Sequence, residues 1–240
     1  VLREGTFPPG AEVTVRAGAA TGERMVVVDG RGGAPVDPDD VDVPAGVRVV
    51  TGDELATGRR AWLHEEVAGV RLRVSARSFF QSGRAAAEAL VAAVAEAAGV
   101  GDGDRFADLY GGVGLFAATV GRRARVQLVE ASASAAADAR VNLRGLDARV
   151  VRSDVARWRP RRTDVVVADP PRAGLGRAGA RAVAATGARR VVLVSCDAGA
   201  LGRDVRLLAA AGYAPLGSTL VDAFPHTPHV EVVTRFDRRR

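Results

Sequence analysis

The sequence predicts an α/β protein, with a largely parallel, doubly wound sheet in its second half and a small β-rich region in front. Three observations carry this. From Arg105 onward, short apolar runs alternate with helical stretches, the pattern of consecutive βαβ units. Residues 1–75 hold β-branched runs split by Gly, Pro and Asp, without that alternation. A strongly helical, Ala-rich segment, Gly83 to Ala98, lies between the two. The expected division is residues 1–75 and residues 76–240.

In the first region AEVTVRAG, ERMVVVDG and GVRVVTG read as short strands, with Pro8, Pro9, Pro35, Pro38 and Pro44 in the breaks. The expectation is a small, mainly antiparallel assembly. His64, within WLHEEV, reads as a surface or structural histidine. GVRLRV adds a strand over Val70 to Val74. Ser82 is placed to cap the following helix. Phe79 and Phe80 suit core packing, at least one of them. In the second half RFADLY, ARVQLVE, ARVVRSD, TDVVVAD, RRVVLVS and HVEVVTRF are the strands. Ser132 to Arg144 and Ala178 to Thr186 are among the helices.

Composition narrows the class. Hydrophobic residues make up 48% of the 240, enough for a sizeable core. A single cysteine, Cys196, rules out an intrachain disulfide and leaves no cysteine-based zinc or iron–sulfur site. Neither a membrane-length apolar run nor an amino-terminal leader pattern is visible, so a reducing, cytoplasmic setting is expected. The chain opens on Val rather than Met, as an excised or processed piece does. Its net charge is +6 and all 34 basic residues are arginine, which suits a polyanion such as RNA but also follows from genomic base composition.

Four stretches carry chemistry. Asp108-Leu109-Tyr110-Gly111-Gly112-Val113-Gly114 follows a strand and opens a helix, where glycines admit close backbone approach to a ligand. Gly112 to Ala117 also satisfies G-x-G-x-x-G/A, and Glu130 lies 18 positions after Gly112 at the next strand end. A nicotinamide dinucleotide is therefore one reading. S-adenosylmethionine is the other, because a carboxylate at Asp108 suits its cationic methionine end and repels a pyrophosphate. Asp169-Pro170-Pro171-Arg172 ends the fourth strand, its prolines stiffening the exit. Ser195-Cys196-Asp197 sits between a strand and a helix amino terminus, whose dipole favours a thiolate. Taken alone, Cys196 reads as a buried structural thiol. Asp222 to Glu231 ends on a late strand, with His226 and His229 in a Pro-bearing loop.

Together these stretches resemble the RNA uracil-5-methyltransferases, class I enzymes with a Rossmann-like S-adenosylmethionine-dependent fold. The resemblance runs from about Trp62 to Phe236 and rests on SFFQ (78–81), DLYGGVGLF (108–116), VE (129–130), SD (153–154), DPPRAGL (169–175), VSCDAGALGRD (194–204) and DAFPHTPHVE (222–231). It implies Cys196 as nucleophile and Glu231 as general base. It implies Gln81, Tyr110, Glu130, Asp154 and Asp169 around S-adenosyl-L-methionine, joining Asp108 and Gly112 of the glycine loop; no metal is expected, and the single cysteine leaves no iron–sulfur cluster. A tRNA or rRNA partner and a monomeric enzyme are expected. Family members usually add an RNA-binding barrel, for which residues 1–75 leave no room. Two departures stand out: Gly111 where Cys is common, and Asp197-Ala198 where Asn-Pro is common. Asp197 is expected to raise the thiol pKa.

The implied chemistry explains the residue types. Uracil C5 is a poor nucleophile, and a thiolate added at C6 makes it enolate-like. A base must then take the C5 proton. The target base has to be turned out of RNA structure, with Arg172 and Phe224 as candidate contacts. Two other readings keep the fold: methylation of a base nitrogen at Asp169-Pro170-Pro171-Arg172, and a noncatalytic RNA-binding module.

Overall fold

The computed structural model describes residues 5–81, 83–227 and 229–239. Strands β1 (Glu12–Ala17), β2 (Arg24–Asp29) and β3 (Val47–Thr51) form one sheet in that order. β1 and β2 are antiparallel, and β2 and β3 are the one parallel pair in this mainly antiparallel region. The Pro- and Gly-bearing chain from 30 to 46 crosses back over the sheet and reverses the entry direction. Helix α1 (Gly52–Ala56) is started by a capping box between Thr51 and Glu54. Strands β4 (Trp62–Val67) and β5 (Val70–Ser75) form a hairpin. Its two-residue turn puts Ala68 and Gly69 at φ 50° and 72°, a twist that matches the flanking strands.

Helix α2 (Arg84–Ala98) leads into the main sheet. Gly83 stands before it, and Ser82, the expected cap, lies outside the described residues. There follow β6 (Arg105–Leu109), α3 (Leu115–Thr119), β7 (Arg125–Glu130), α4 (Ala133–Asn142), β8 (Ala148–Arg152), β9 (Val165–Ala168), α5 (Gly176–Ala185), β10 (Arg190–Ser195), α6 (Ala198–Ala210), β11 (Tyr213–Val221) and β12 (Glu231–Arg238). The seven strands lie in the order β11-β12-β10-β9-β6-β7-β8. β8, β7, β6, β9 and β10 are mutually parallel, and β12 runs against β10 and β11. The chain winds outward from β6 to β8 and then returns to place β9 on the other side of β6. Ligands in such sheets bind at the carboxyl ends beside this reversal.

Strand periodicity separates two cores. Val165, Val167, Val192 and Val194 face the layer holding α2, α3 and α4, while Val166, Ala168, Val191 and Leu193 face Val183 of α5 and Leu208 of α6. β11 is the strand that apolar periodicity misses. Pro215 and Gly217 interrupt it with a bulge, and residues 215–220 are exposed. Proline and a bulge are how an edge strand resists pairing with another chain.

The amino-terminal strands are tied to the main sheet through α4. Met25, Val27, Val50, Leu63 and Val74 share a core with Val113 and Ala135. Above it the buried carboxylate of Asp138 accepts hydrogen bonds from Arg73 Nε (2.7 Å), the Ser75 backbone N–H (2.8 Å) and hydroxyl (2.7 Å), and the Ser78 hydroxyl (2.7 Å). Asn142, one turn on, accepts from the Arg73 N–H and donates to the carbonyls of Arg73 and Val113. One helix thus registers the β5 strand against the glycine loop. His64 bonds to Glu23 at 2.9 Å, the structural role expected of it.

Candidate active site

Cys196 follows the last residue of β10, and Glu231 is the first of β12. Ser195 pairs with Val232, so one further step of the antiparallel register sets Cys196 opposite Glu231. Directly opposed residues in such a ladder have Cα atoms about 4.5–5.5 Å apart. On the other side of β10, Leu193 pairs with Ala168, which brings Asp169 to the same edge. Gln81 arrives from the segment before α2, and its Nε2 donates to Asp169 Oδ2 at 3.4 Å. Four of the expected residues, drawn from four motifs, therefore meet at one sheet edge.

This cluster is electrostatically loaded. Burial pushes the Glu231 carboxyl up, and its Oε2 is buried without a hydrogen-bond partner among the described residues. Burial also raises Asp169 to about 7, with the Glu231 charge adding to the effect. The Cys196 thiol is half-buried and raised, first by burial and then by Glu231, with Arg172 acting the other way. The thiol is therefore raised by its surroundings, whereas the sequence predicts that the α6 amino terminus favours a thiolate. Asp197 is not the carboxylate that raises the thiol. Its Oδ1 accepts the Ala200 N–H at 2.6 Å as the N-cap of α6, a task Asn or Asp performs equally.

The second cluster lies around the glycine loop. Glu130 bonds back to the loop, accepting the Gly112 N–H at 2.9 Å and the Ser132 N–H at 2.6 Å. Tyr110 adopts φ 60°, uncommon for an aromatic residue, and burial raises its hydroxyl to about 12. At Gly111 an added Cβ would stand 2.6 Å from Leu128 Cγ and 3.0 Å from Asp108 Cγ. Leu128 has taken the room, which explains why this position is glycine here.

One expected residue, Asp108, sits differently from its assignment. Asp108 is wholly buried beneath the loop, where its Oδ2 accepts the Ala117 N–H at 2.9 Å and caps α3. In this conformation no part of it is open to a ligand. Burial raises it to about 8, and Oδ1 has no partner among the described residues. Asp154 is exposed past the end of β8, closing the next turn by accepting the Ala156 N–H at 2.7 Å.

Residues missed at the sequence level support the site from behind. Buried Asp204 of α6 accepts the N–H groups of Leu175 (2.7 Å) and Gly176 (3.1 Å), which hold the loop after Asp-Pro-Pro-Arg. Gly174, at φ 78°, allows this approach, since a Cβ there would stand 2.3 Å from Asp204 Oδ2. The signal was the Asp ending VSCDAGALGRD, whose partner lies 29 residues upstream. Of the two phenylalanines, Phe80 packs into the core and Phe79 is 72% exposed beside Gln81. Phe224 meets the His229 ring edge-on at 6.4 Å, and Arg172 is exposed. Among the described residues no group of acidic, His or Cys side chains could hold a metal ion, and no helix is long and apolar enough to cross a membrane.

The sheet order, the glycine loop and the acidic β7 end define the Rossmann-like fold of the S-adenosylmethionine-dependent methyltransferases. Comparison with known proteins agrees. A solved structure of the tRNA (uracil-54, C5)-methyltransferase of Pyrococcus abyssi, in complex with S-adenosyl-L-homocysteine, superposes with a TM-score of 0.75 at 26% identity, covering 93% of this chain and 59% of that one. By sequence the chain is 37% identical over 234 residues to a protein of Streptomyces coelicolor named as an uncharacterized RNA methyltransferase. That match covers 92% of this chain and 51% of the relative. A Streptomyces avermitilis protein of the same description is 36% identical, with 92% and 54% covered. The chain thus spans about half the length of these relatives. No protein-family model matches it.

Proposed function

We propose that this chain is the catalytic part of an RNA methyltransferase that places a methyl group on C5 of a uridine in tRNA or rRNA, through a covalent adduct of Cys196 with C6. The observation that carries this reading is the register of β10 and β12, which opposes a thiol to a buried carboxylate whose Oε2 has no partner among the described residues. A methyltransferase acting on a base nitrogen needs neither, and a binding module needs no catalytic pair. Residues 1–75 are proposed as a separate unit docked on α4.

The cosubstrate implied by the fold is S-adenosyl-L-methionine, which supplies a methyl group on a sulfonium centre. The residues present fit it. At Gly112 an added Cβ would meet open space, so the loop backbone is accessible to a ligand, and Glu130 ends β7, where a carboxylate meets ribose hydroxyls. Gln81, Tyr110, Gly112, Glu130 and Asp169 are proposed to hold it. Asp108 shapes the loop from below, and Asp154 flanks the adenine side.

Cys196 loses its proton and forms an Sγ–C6 bond, sending the C5=C6 electron pair towards O4 of the uracil. C5, now electron-rich, forms a bond to the methyl carbon as the S–CH3 bond breaks, the electron pair staying on sulfur to leave a neutral thioether. Glu231 then removes the C5 proton, the C5=C6 bond re-forms, and the Sγ–C6 bond breaks to return the thiolate. Arg172 offsets the carboxylates that resist thiolate formation.

The test is Cys196→Ala with labelled methyl donor and bulk tRNA and rRNA, followed by nucleoside analysis. Wild-type protein should yield 5-methyluridine and the variant none. Full transfer by the variant overturns the mechanism, and a methylated base nitrogen overturns the substrate atom.

A further inference from the structure

Residues 144–162 contain seven arginines and two aspartates, a local balance of +5 within a chain of net +6. The other 221 residues share the remaining +1. Residues 172–190 also carry +5, but there Arg189 and Arg190 are neutralised by Asp104 and Asp237. Elsewhere ten arginines form ion pairs with carboxylates. Within this stretch none does among the described residues.

The stretch also has a defined place. Arg144, Arg149 and Arg152 lie on or just before β8, the last strand at one edge of the main sheet. Arg157, Arg159, Arg161 and Arg162 lie on the crossover from β8 to β9, which runs past the sheet without a helix. All seven are exposed. Their backbone is anchored: Val155 and Trp158 are buried under the sheet, and the Trp158 N–H donates to the Asp154 carbonyl at 2.9 Å. Of the two aspartates, Asp154 uses its Oδ1 on the Ala156 N–H, so it closes the turn on which the arginines stand.

We propose that the β8 edge and the β8–β9 crossover form a second RNA-contacting surface, which grips the phosphate backbone of the substrate away from the methylated nucleotide. The inference rests on the RNA reading above. β8 is four strand spacings from β10, about 19 Å. A nucleotide seated at Cys196 therefore cannot touch this surface, but a folded RNA extending from it can. Exposed guanidinium groups match phosphate geometry and carry little base information, which suits a surface that positions rather than selects.

The experiment compares wild type with Arg157→Gln/Arg159→Gln/Arg161→Gln/Arg162→Gln in the full chain. Binding to an unmodified tRNA transcript is measured by fluorescence anisotropy between 50 and 200 mM salt. The variant should bind at least ~10-fold more weakly at low salt. Its log K against log salt slope should be shallower by about 0.7–0.9 per lost phosphate contact. Methyl transfer to a hairpin too short to span ~19 Å should be unchanged, and the urea midpoint should match wild type. Wild-type affinity and slope in the variant overturn the proposal, as does equal loss on the short hairpin. A wild-type chain that binds tRNA but leaves uridine C5 unmethylated overturns the uridine reading alone.

Discussion

Glu231 stands across the β10–β12 ladder from Cys196, one register step beyond the Ser195–Val232 pair, and its buried Oε2 lacks a partner among the described residues. The two groups are therefore electrostatically linked, with the glutamate charge opposing ionisation of the thiol. Glu231→Gln should lower the apparent pKa of Cys196, read as the pH dependence of alkylation by iodoacetamide. It should also lower methyl transfer by ~10²–10⁴-fold, the usual weight of a positioned base. Because the thiol still adds while the C5 proton stays, the RNA adduct should persist on a denaturing gel. Faster alkylation with undiminished turnover would remove Glu231 from the mechanism.

Asp204 acts at a distance, through the N–H groups of Leu175 and Gly176. Asp204→Ala leaves both donors short of an acceptor in a closely packed corner, at a cost of about 1–3 kcal/mol. The loop carrying Arg172 should loosen. Hydrogen exchange at Leu175 and Gly176 should accelerate more than at β10, and turnover should fall. Uniform acceleration across the sheet would mean that Asp204 supports the fold alone.

The parallel sheet was legible because its strands are buried on both faces and read as continuous apolar runs, such as Val165–Ala168 and Val191–Val194. The glycine loop, Asp-Pro-Pro-Arg and the cysteine motif were legible as local patterns. What escaped is what depends on a distant partner. The bulged edge strand β11 has its apolar order broken by Pro215 and Gly217. Asp204 and Asp138 look like ordinary helix-surface acids until their partners, 29 and 60–65 residues away, are in place. Burial governs the rest: Asp108 carries the residue type expected of a cofactor contact, yet lies beneath the loop it was expected to line.

Asp138 offers the clearest stability test of the joint between α4 and β5. Its carboxylate receives four hydrogen bonds, one of them from the Arg73 guanidinium, with no exposure to water. Asp138→Ala strands Arg73 and two hydroxyls, and breaking such a buried pair from one side costs about 3–5 kcal/mol. The urea midpoint should fall accordingly. Arg73 also lies over the Trp62 ring, 5.2 Å from its centre, so tryptophan fluorescence should report the loosened hairpin before the main sheet unfolds. Coincident transitions would show that the hairpin and the sheet unfold as one unit.

Two buried carboxyls set the pH response: Asp169, raised to about 7, and Asp108. Its folded pKa is raised by burial to about 8, while an unfolded aspartate titrates near 3.9. Between these values the folded state holds a proton that the unfolded chain has released. The associated stability is complete below about pH 4 and declines as pH rises towards 8, by up to ~1.4 kcal/mol per unit. Asp108→Asn keeps an oxygen for the Ala117 N–H and removes the ionisation. The variant should therefore show a flatter urea-midpoint profile between pH 5 and 8, crossing above wild type at the alkaline end. Parallel profiles for the two proteins would place the burden of that titration on another group.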